Sequence, residues 1–129
     1  MKRRRDKALY RVYVKGLRNG MFTSFRNAGE LVRTEHAPEF FISSREASLH
    51  IGRILSFNSL SDLHPLSRVR IWELFSRYIA YLESHPGTTL TRERILDDIV
   101  EEEAPEFYVT AEMARKIIME ESRRRRESW

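Results

Sequence analysis

Apolar residues recur along the chain at three- and four-residue spacing, as expected of helices that bury one face. Leu9, Val12, Tyr13 and Leu17 predict a first helix over about 6–18, although the run Tyr10-Arg11-Val12-Tyr13-Val14 also suits a strand. Gly20 breaks this element, and Thr23 or Ser24 opens a second helix that runs to about Glu35. Ala47, Ile51, Ile54 and Leu55 mark the inner face of a third helix over about 44–57. The turn formers of 58–64 read as a linker. A strongly periodic fourth helix follows from Pro65 through Val69, Ile71, Trp72, Phe75, Tyr78, Ile79 and Leu82, and His85-Pro86-Gly87 ends it. Thr91 opens a fifth helix that runs to about Glu103, and Thr110 opens the last. The pattern predicts an all-α protein of six helices.

The segment Ala37-Pro38-Glu39-Phe40-Phe41-Ile42-Ser43-Ser44 returns 67 residues later as Ala104-Pro105-Glu106-Phe107-Tyr108-Val109-Thr110-Ala111. At the same offset Ala28 meets Ile95, Val32 meets Ile99, Ala47 meets Ala114 and Ile51 meets Ile118. These agreements fall on one helical face, so an internal duplication is expected. It would give two similar three-helix units, 6–57 and 65–126, joined by 58–64 and packed into a single compact domain over 1–129. In each copy proline stops the preceding helix, aromatics bury a corner, and a hydroxyl caps the next helix. Pro38, Phe40, Phe41 and Ser43 form this structural corner in the first copy, and Pro105, Phe107, Tyr108 and Thr110 in the second. Glu46 completes a capping box with Ser43, while Ile42 with Ala47 and Val109 with Ala114 stand at staple positions. Each cap is worth about 1 kcal/mol.

Composition narrows the functional classes. The 129 residues include 23 Lys and Arg against 19 Asp and Glu, no cysteine and 41% hydrophobic residues. Charge is too frequent for a membrane-spanning helix, and Arg11 and Lys15 interrupt any leader that Lys2-Arg3-Arg4-Arg5 might begin. A cytoplasmic protein without a membrane partner is expected. Disulfides and thiol chemistry are excluded. No glycine-rich phosphate loop, paired metal histidines or nucleophile elbow is present, so no enzyme activity, cofactor, metal or small-molecule substrate is expected. His36, His50, His64 and His85 sit in or near corners, where solvated or capping roles suit them better than a metal clamp of Glu35, His36 and Glu39.

The net charge of +4 conceals a strong asymmetry. Residues 1–30 hold nine bases against two acids, whereas 87–112 hold two bases against eight acids. Glu101, Glu102 and Glu103 would occupy the last turn of the fifth helix, where the dipole opposes negative charge. Basic segments of this chain or of another subunit would then lie across them, unless they form a solvated face.

These features favour nucleic-acid binding, DNA or RNA, through basic termini. Lys2, Arg3, Arg4 and Arg5 at one end and Arg123, Arg124, Arg125 and Arg126 at the other can neutralise phosphates. The stretch from Tyr108 through Thr110 to Ile118 resembles the recognition helix of helix-turn-helix proteins, which would place its first turns in a major groove. It departs from that pattern in having Ala-Pro-Glu-Phe for the short glycine turn, and Glu112, Lys116, Met119 and Glu120 outward. The third helix presents Arg45, Leu49, Arg53 and Ser56, which makes Arg45 and Arg53 the better contacts to bases or phosphates. The alternative is a structural or adaptor protein that acts through a protein partner or as a homo-oligomer. Its 14 aromatics, Trp72 and Trp129 among them, mostly suit a core.

Overall fold

A computed structural model describes residues 1–127; Trp129 lies outside them. The described residues form six α-helices without a named strand: α1 Lys2–Arg18, α2 Phe25–Arg33, α3 Ser44–Leu55, α4 Pro65–Ser84, α5 Arg92–Ile99 and α6 Ala111–Glu127. The ambiguous run Tyr10–Val14 is helical, because Leu9, Tyr13 and Gly16 turn to the interior while Arg11 and Lys15 stay in water.

The hydroxyl caps form as residue type requires. Ser24, Ser43, Thr91 and Thr110 accept from the backbone N–H three residues on, at 3.4, 3.1, 3.2 and 3.1 Å. The carboxylate of Glu46 faces the His50 ring at 3.8 Å. His64 caps α4, its Nδ1 accepting from the Leu66 N–H at 3.1 Å. Neither proline supplies a helix stop. α2 ends at Arg33, where the Thr34 hydroxyl donates to the carbonyls of Glu30 and Leu31. α5 ends at Ile99, short of the Glu103 that periodicity predicts.

Past each of these ends the chain runs extended into the repeated motif. Ala37 and Ala104 form an isolated antiparallel bridge, exchanging N–H···O bonds of 2.9 and 2.8 Å. Three residues on, the Phe40 N–H donates to the Val100 carbonyl and the Phe107 N–H to the Arg33 carbonyl, at 2.9 and 3.2 Å. Phe41 and Tyr108 then take left-handed backbone angles, φ 54° and 57°, and are buried. Ala37 and Ala104, Arg33 and Val100, Phe40 and Phe107, and Phe41 and Tyr108 are each separated by the 67 residues of the sequence repeat.

The chain divides into two compact units, and they do not follow the segments 6–57 and 65–126. One unit comprises 1–38 and 103–129; the other is 39–102. The physical reason is the corner: after Pro38 the chain leaves the first unit, so α3 packs on α5 and α4. After Glu102 it returns, so α6 packs on α2 and α1. The core of the first unit is Leu9, Ala28, Val32, Phe107, Ala114, Ile117 and Ile118. That of the second is Phe40, Ile51, Ile71, Leu74, Ile95 and Leu96.

α2 and α6 approach through Gly29. A Cβ there would lie 2.5 Å from the Ala111 carbonyl oxygen and 2.6 Å from Arg115 Cγ. Backbone at the start of a capped helix cannot withdraw easily. Helix propensity alone would make Gly29→Ala stabilising by about 1 kcal/mol. We expect the opposite sign, a loss of about 1–3 kcal/mol from overpacking, measured by urea denaturation.

Candidate nucleic-acid interface

The amino-terminal tetrad belongs to the first turn of α1, and this divides its residues by direction. Among the described residues the buried charged side chains are Asp6 and Glu121, the latter 3% exposed. Buried carboxylates need partners to offset desolvation. Arg3 supplies one to Glu121 across the α1–α6 contact, and Arg5 bonds Asp6 at 3.0 and 3.2 Å. Arg3 and Arg5 therefore hold the unit together; Lys2 and Arg4 are exposed.

The same helix carries a longer basic feature. Arg4, Lys7, Arg11, Lys15 and Arg18 are all exposed. At 3.6 residues per turn they fall within an arc of about 80° and extend for about 21 Å, opposite Leu9 and Gly16. Lys7, Arg11, Lys15 and Arg18 make no ion pair among the described residues. Sequence reasoning weighed the clustered tetrads and passed over this stripe, although the spacing of Lys7, Arg11 and Lys15 by four residues carried the signal.

The carboxy-terminal tetrad lies in the same unit, exposed in the last turns of α6. Negative dipole ends favour cations there. The Arg125 guanidinium sits 4.7 Å above the Tyr10 ring, a cation–π contact across the two helices. Tyr10, Val14 and Arg125 together with Arg11, Lys15 and Arg18 of the stripe line an open groove of about 490 Å³. The fold thus brings both termini into one unit with sixteen bases against nine acids, a balance of +7. The other unit has seven bases and ten acids, −3.

Arg45 and Arg53 belong to that acidic unit. Arg45 is exposed, as its helical position requires. Arg53 closes the loop after α3, bonding the Ser59 carbonyl and, at 2.5 Å, the Asp62 carboxylate. It acts as a clasp on that loop.

The acidic run also differs from expectation. Glu101, Glu102 and Glu103 lie beyond α5, so its dipole term does not apply as expected. Glu102 pairs with Arg77 at 3.0 Å, and Arg77 also holds Glu73 at 3.0 Å and sits over the Phe40 ring. Burial works to lower the Arg77 pKa, but the hydrogen bonds to Glu73 and Glu102 outweigh it and raise it. Glu103 lies 2.5 Å from His36 Nδ1, its own counterpart in the sequence repeat. A carboxylate only accepts, so Nδ1 carries the proton.

Helix-turn-helix recognition requires consecutive helices packed as a pair. α2 and α3 fall in different units here, and so do α5 and α6, so the helices expected to pair in this way do not share a unit. No group of three or more His, Asp or Glu side chains among the described residues is placed to hold a metal ion. No helix among them is long and apolar enough to cross a membrane. Comparison of the chain with protein-family models, curated proteins and solved structures finds no match.

The Arg53 clasp has a pH signature. Its hydrogen bond holds the Asp62 carboxyl below the usual carboxylate range. A depressed folded-state pKa adds stability above that range and loses it as pH falls through it. Asp62→Asn should therefore lower the melting temperature slightly at about pH 7, and the difference from the parent should shrink as pH falls below the usual carboxylate range. Thermal melts over that descent in pH measure it.

Proposed function

We propose that this protein binds nucleic acid through the basic face of the unit formed by α1, α2 and α6. The observation that carries the reading is the exposed stripe Arg4, Lys7, Arg11, Lys15 and Arg18, joined in its unit by the tetrad at the end of α6. Like charges one turn apart on a helix destabilise it by about 0.2–0.5 kcal/mol per pair. This stripe repeats that arrangement over the length of α1 without intervening carboxylates on the same face. A polyanion that passes along it would turn the repulsion into attraction and release counterions. No catalytic role is included, because no acid–base or nucleophilic constellation supports one.

A second reading, self-association, is favoured by Phe57. Its ring is 98% exposed, and its backbone is left-handed at φ 59°. It closes α3 in a Schellman arrangement, with the Phe57 N–H donating to Ile54 and the Asn58 N–H to Arg53. Glycine is the usual residue at such a position, and a non-glycine there costs about 1 kcal/mol or more. Beside Phe57 lies a groove of about 410 Å³ walled by Ile54, Leu60, Arg68 and Trp72, with Trp72 51% exposed. A protruding ring beside an apolar groove suits a two-fold contact with a second copy, each Phe57 entering the other's groove.

The duplication expected from the sequence is supported by the matched caps, the paired bonds of Phe40 and Phe107, and the shared left-handed angles of Phe41 and Tyr108. On this reading the third helix of each copy completes the unit of the other.

The principal test is fluorescence anisotropy with labelled oligonucleotides across salt. Arg11→Glu with Lys15→Glu should weaken binding at least about tenfold and reduce the salt slope by about 2. Parent protein that fails to bind DNA or RNA at low salt would overturn the reading. For self-association, Phe57→Gly should raise stability by up to about 1 kcal/mol and lower the dimer fraction in sedimentation. A parent that is monomeric at high concentration would exclude the second copy.

A further inference from the structure

We infer that the basic face selects single-stranded nucleic acid, taking unpaired bases into a groove between α6 and the aromatic side chains of α1 and α2. This rests on the nucleic-acid reading above and names its ligand more closely. The groove, of about 720 Å³, lies wholly within one unit. Tyr13 and Phe25 contribute rings to it, and Arg115, Lys116, Arg123 and Arg126 contribute cations. Exposed Met119 adds an apolar edge, and Glu112 and Glu120 are the acidic members, so cations outnumber carboxylates two to one.

Three features distinguish this groove from a patch that only attracts phosphate. The first is the order of its aromatic wall. Tyr13 stacks on Phe22 with centroids 5.5 Å apart and planes 18° from parallel, and Tyr10 lies 6.0 Å from Tyr13 at a 49° tilt. A ring held by its neighbours loses little freedom when a base meets it. The second is Phe25, 41% exposed at the first position of α2. Its ring is open to a ligand while its backbone is fixed by the Ser24 cap. The third is the presence of rings and cations in one groove, which matches a single strand, whose bases expose flat faces and whose backbone carries the charge. In a duplex the base faces are stacked on one another, so Tyr13 and Phe25 would gain nothing from it. The rings line one groove, and Tyr10 with Arg125 lines the next, so a strand that crosses the end of α6 meets both.

The test compares a labelled fifteen-nucleotide oligo(dT) and oligo(U) with a fifteen-base-pair duplex, using the full chain and fluorescence anisotropy at low salt. We expect either single strand to bind at least about tenfold more tightly than the duplex. Phe25→Ala should weaken single-strand binding about tenfold, as expected for one lost stacking partner, and leave duplex binding unchanged. Phe25→Trp should restore the single-strand affinity, which excludes a merely structural role for the ring. The stripe variant Arg11→Glu with Lys15→Glu should weaken both ligands alike. Equal affinity for strand and duplex, with Phe25→Ala indistinguishable from the parent, would overturn this inference and leave the basic-face reading standing. Failure of the parent to bind either ligand would overturn both.

Discussion

Two alanines determine where the chain goes. Ala37 and Ala104 exchange both of their backbone hydrogen bonds while almost completely buried. An extended pair in an interior has to satisfy its own polar groups, and it can approach so closely only if its side chains are small. Everything on either side follows from that crossing. α2 and α5 have to stop several residues earlier, which frees the carbonyls of Arg33 and Val100 to accept from Phe107 and Phe40. The aromatic corners then turn through left-handed Phe41 and Tyr108 and deliver α3 and α6 to their units. A larger residue at either alanine would separate the strands and leave buried amides without partners, a heavier penalty than the lost packing of a methyl group.

Helix number, caps and inner faces were legible in the sequence because they are local. Apolar spacing identified Ala47 and Ile51 of α3, Ile71 and Tyr78 of α4, and Ala114 and Ile118 of α6 as buried. Leu55, Val69 and Trp72 of the same pattern are exposed, however, and buried Leu74 was not among those marked. A hydroxyl three residues ahead of an acceptable N–H identified Ser43, Thr91 and Thr110 as caps. The unit boundaries were not legible. Whether α3 closes on α2 or on α5 depends on the direction taken after Pro38, and both choices bury the same Ala47 and Ile51. Periodicity reports which face of a helix is covered and is silent on what covers it. The repeat was visible, yet the pairing of His36 with its counterpart Glu103 was hidden, since it exists only once the two copies of the motif meet.

The candidate interface divides along the same line. Clustered arginines stand out in a linear sequence, and the tetrads drew notice for that reason. In the fold Arg3 and Arg5 serve buried carboxylates, and Arg53 closes a loop. The stripe on α1 is spread over about four turns, so no short window contains it, and it becomes a surface only when its helix is formed. Charge counted along the chain placed a basic segment at each end; charge counted by unit places both ends together and leaves the remainder acidic.

The departures from stability also fall where function would. Interior carboxylates have guanidinium partners, and the acidic run is largely answered by Arg77 and His36. Two surfaces break the rules that the rest obeys. One aligns cations along α1 without carboxylates between them; the other holds a phenylalanine in water on a backbone suited to glycine. Each could be relieved by surface substitutions without touching the core, so neither is imposed by folding. Strain of this kind persists when a partner removes it, by neutralising the cations in one case and covering the ring in the other. The cation stripe extends over the whole of α1 and the ring is a single residue, so a polyanion has the larger effect to reverse. That difference in extent is why nucleic acid, rather than a second copy, is the leading partner.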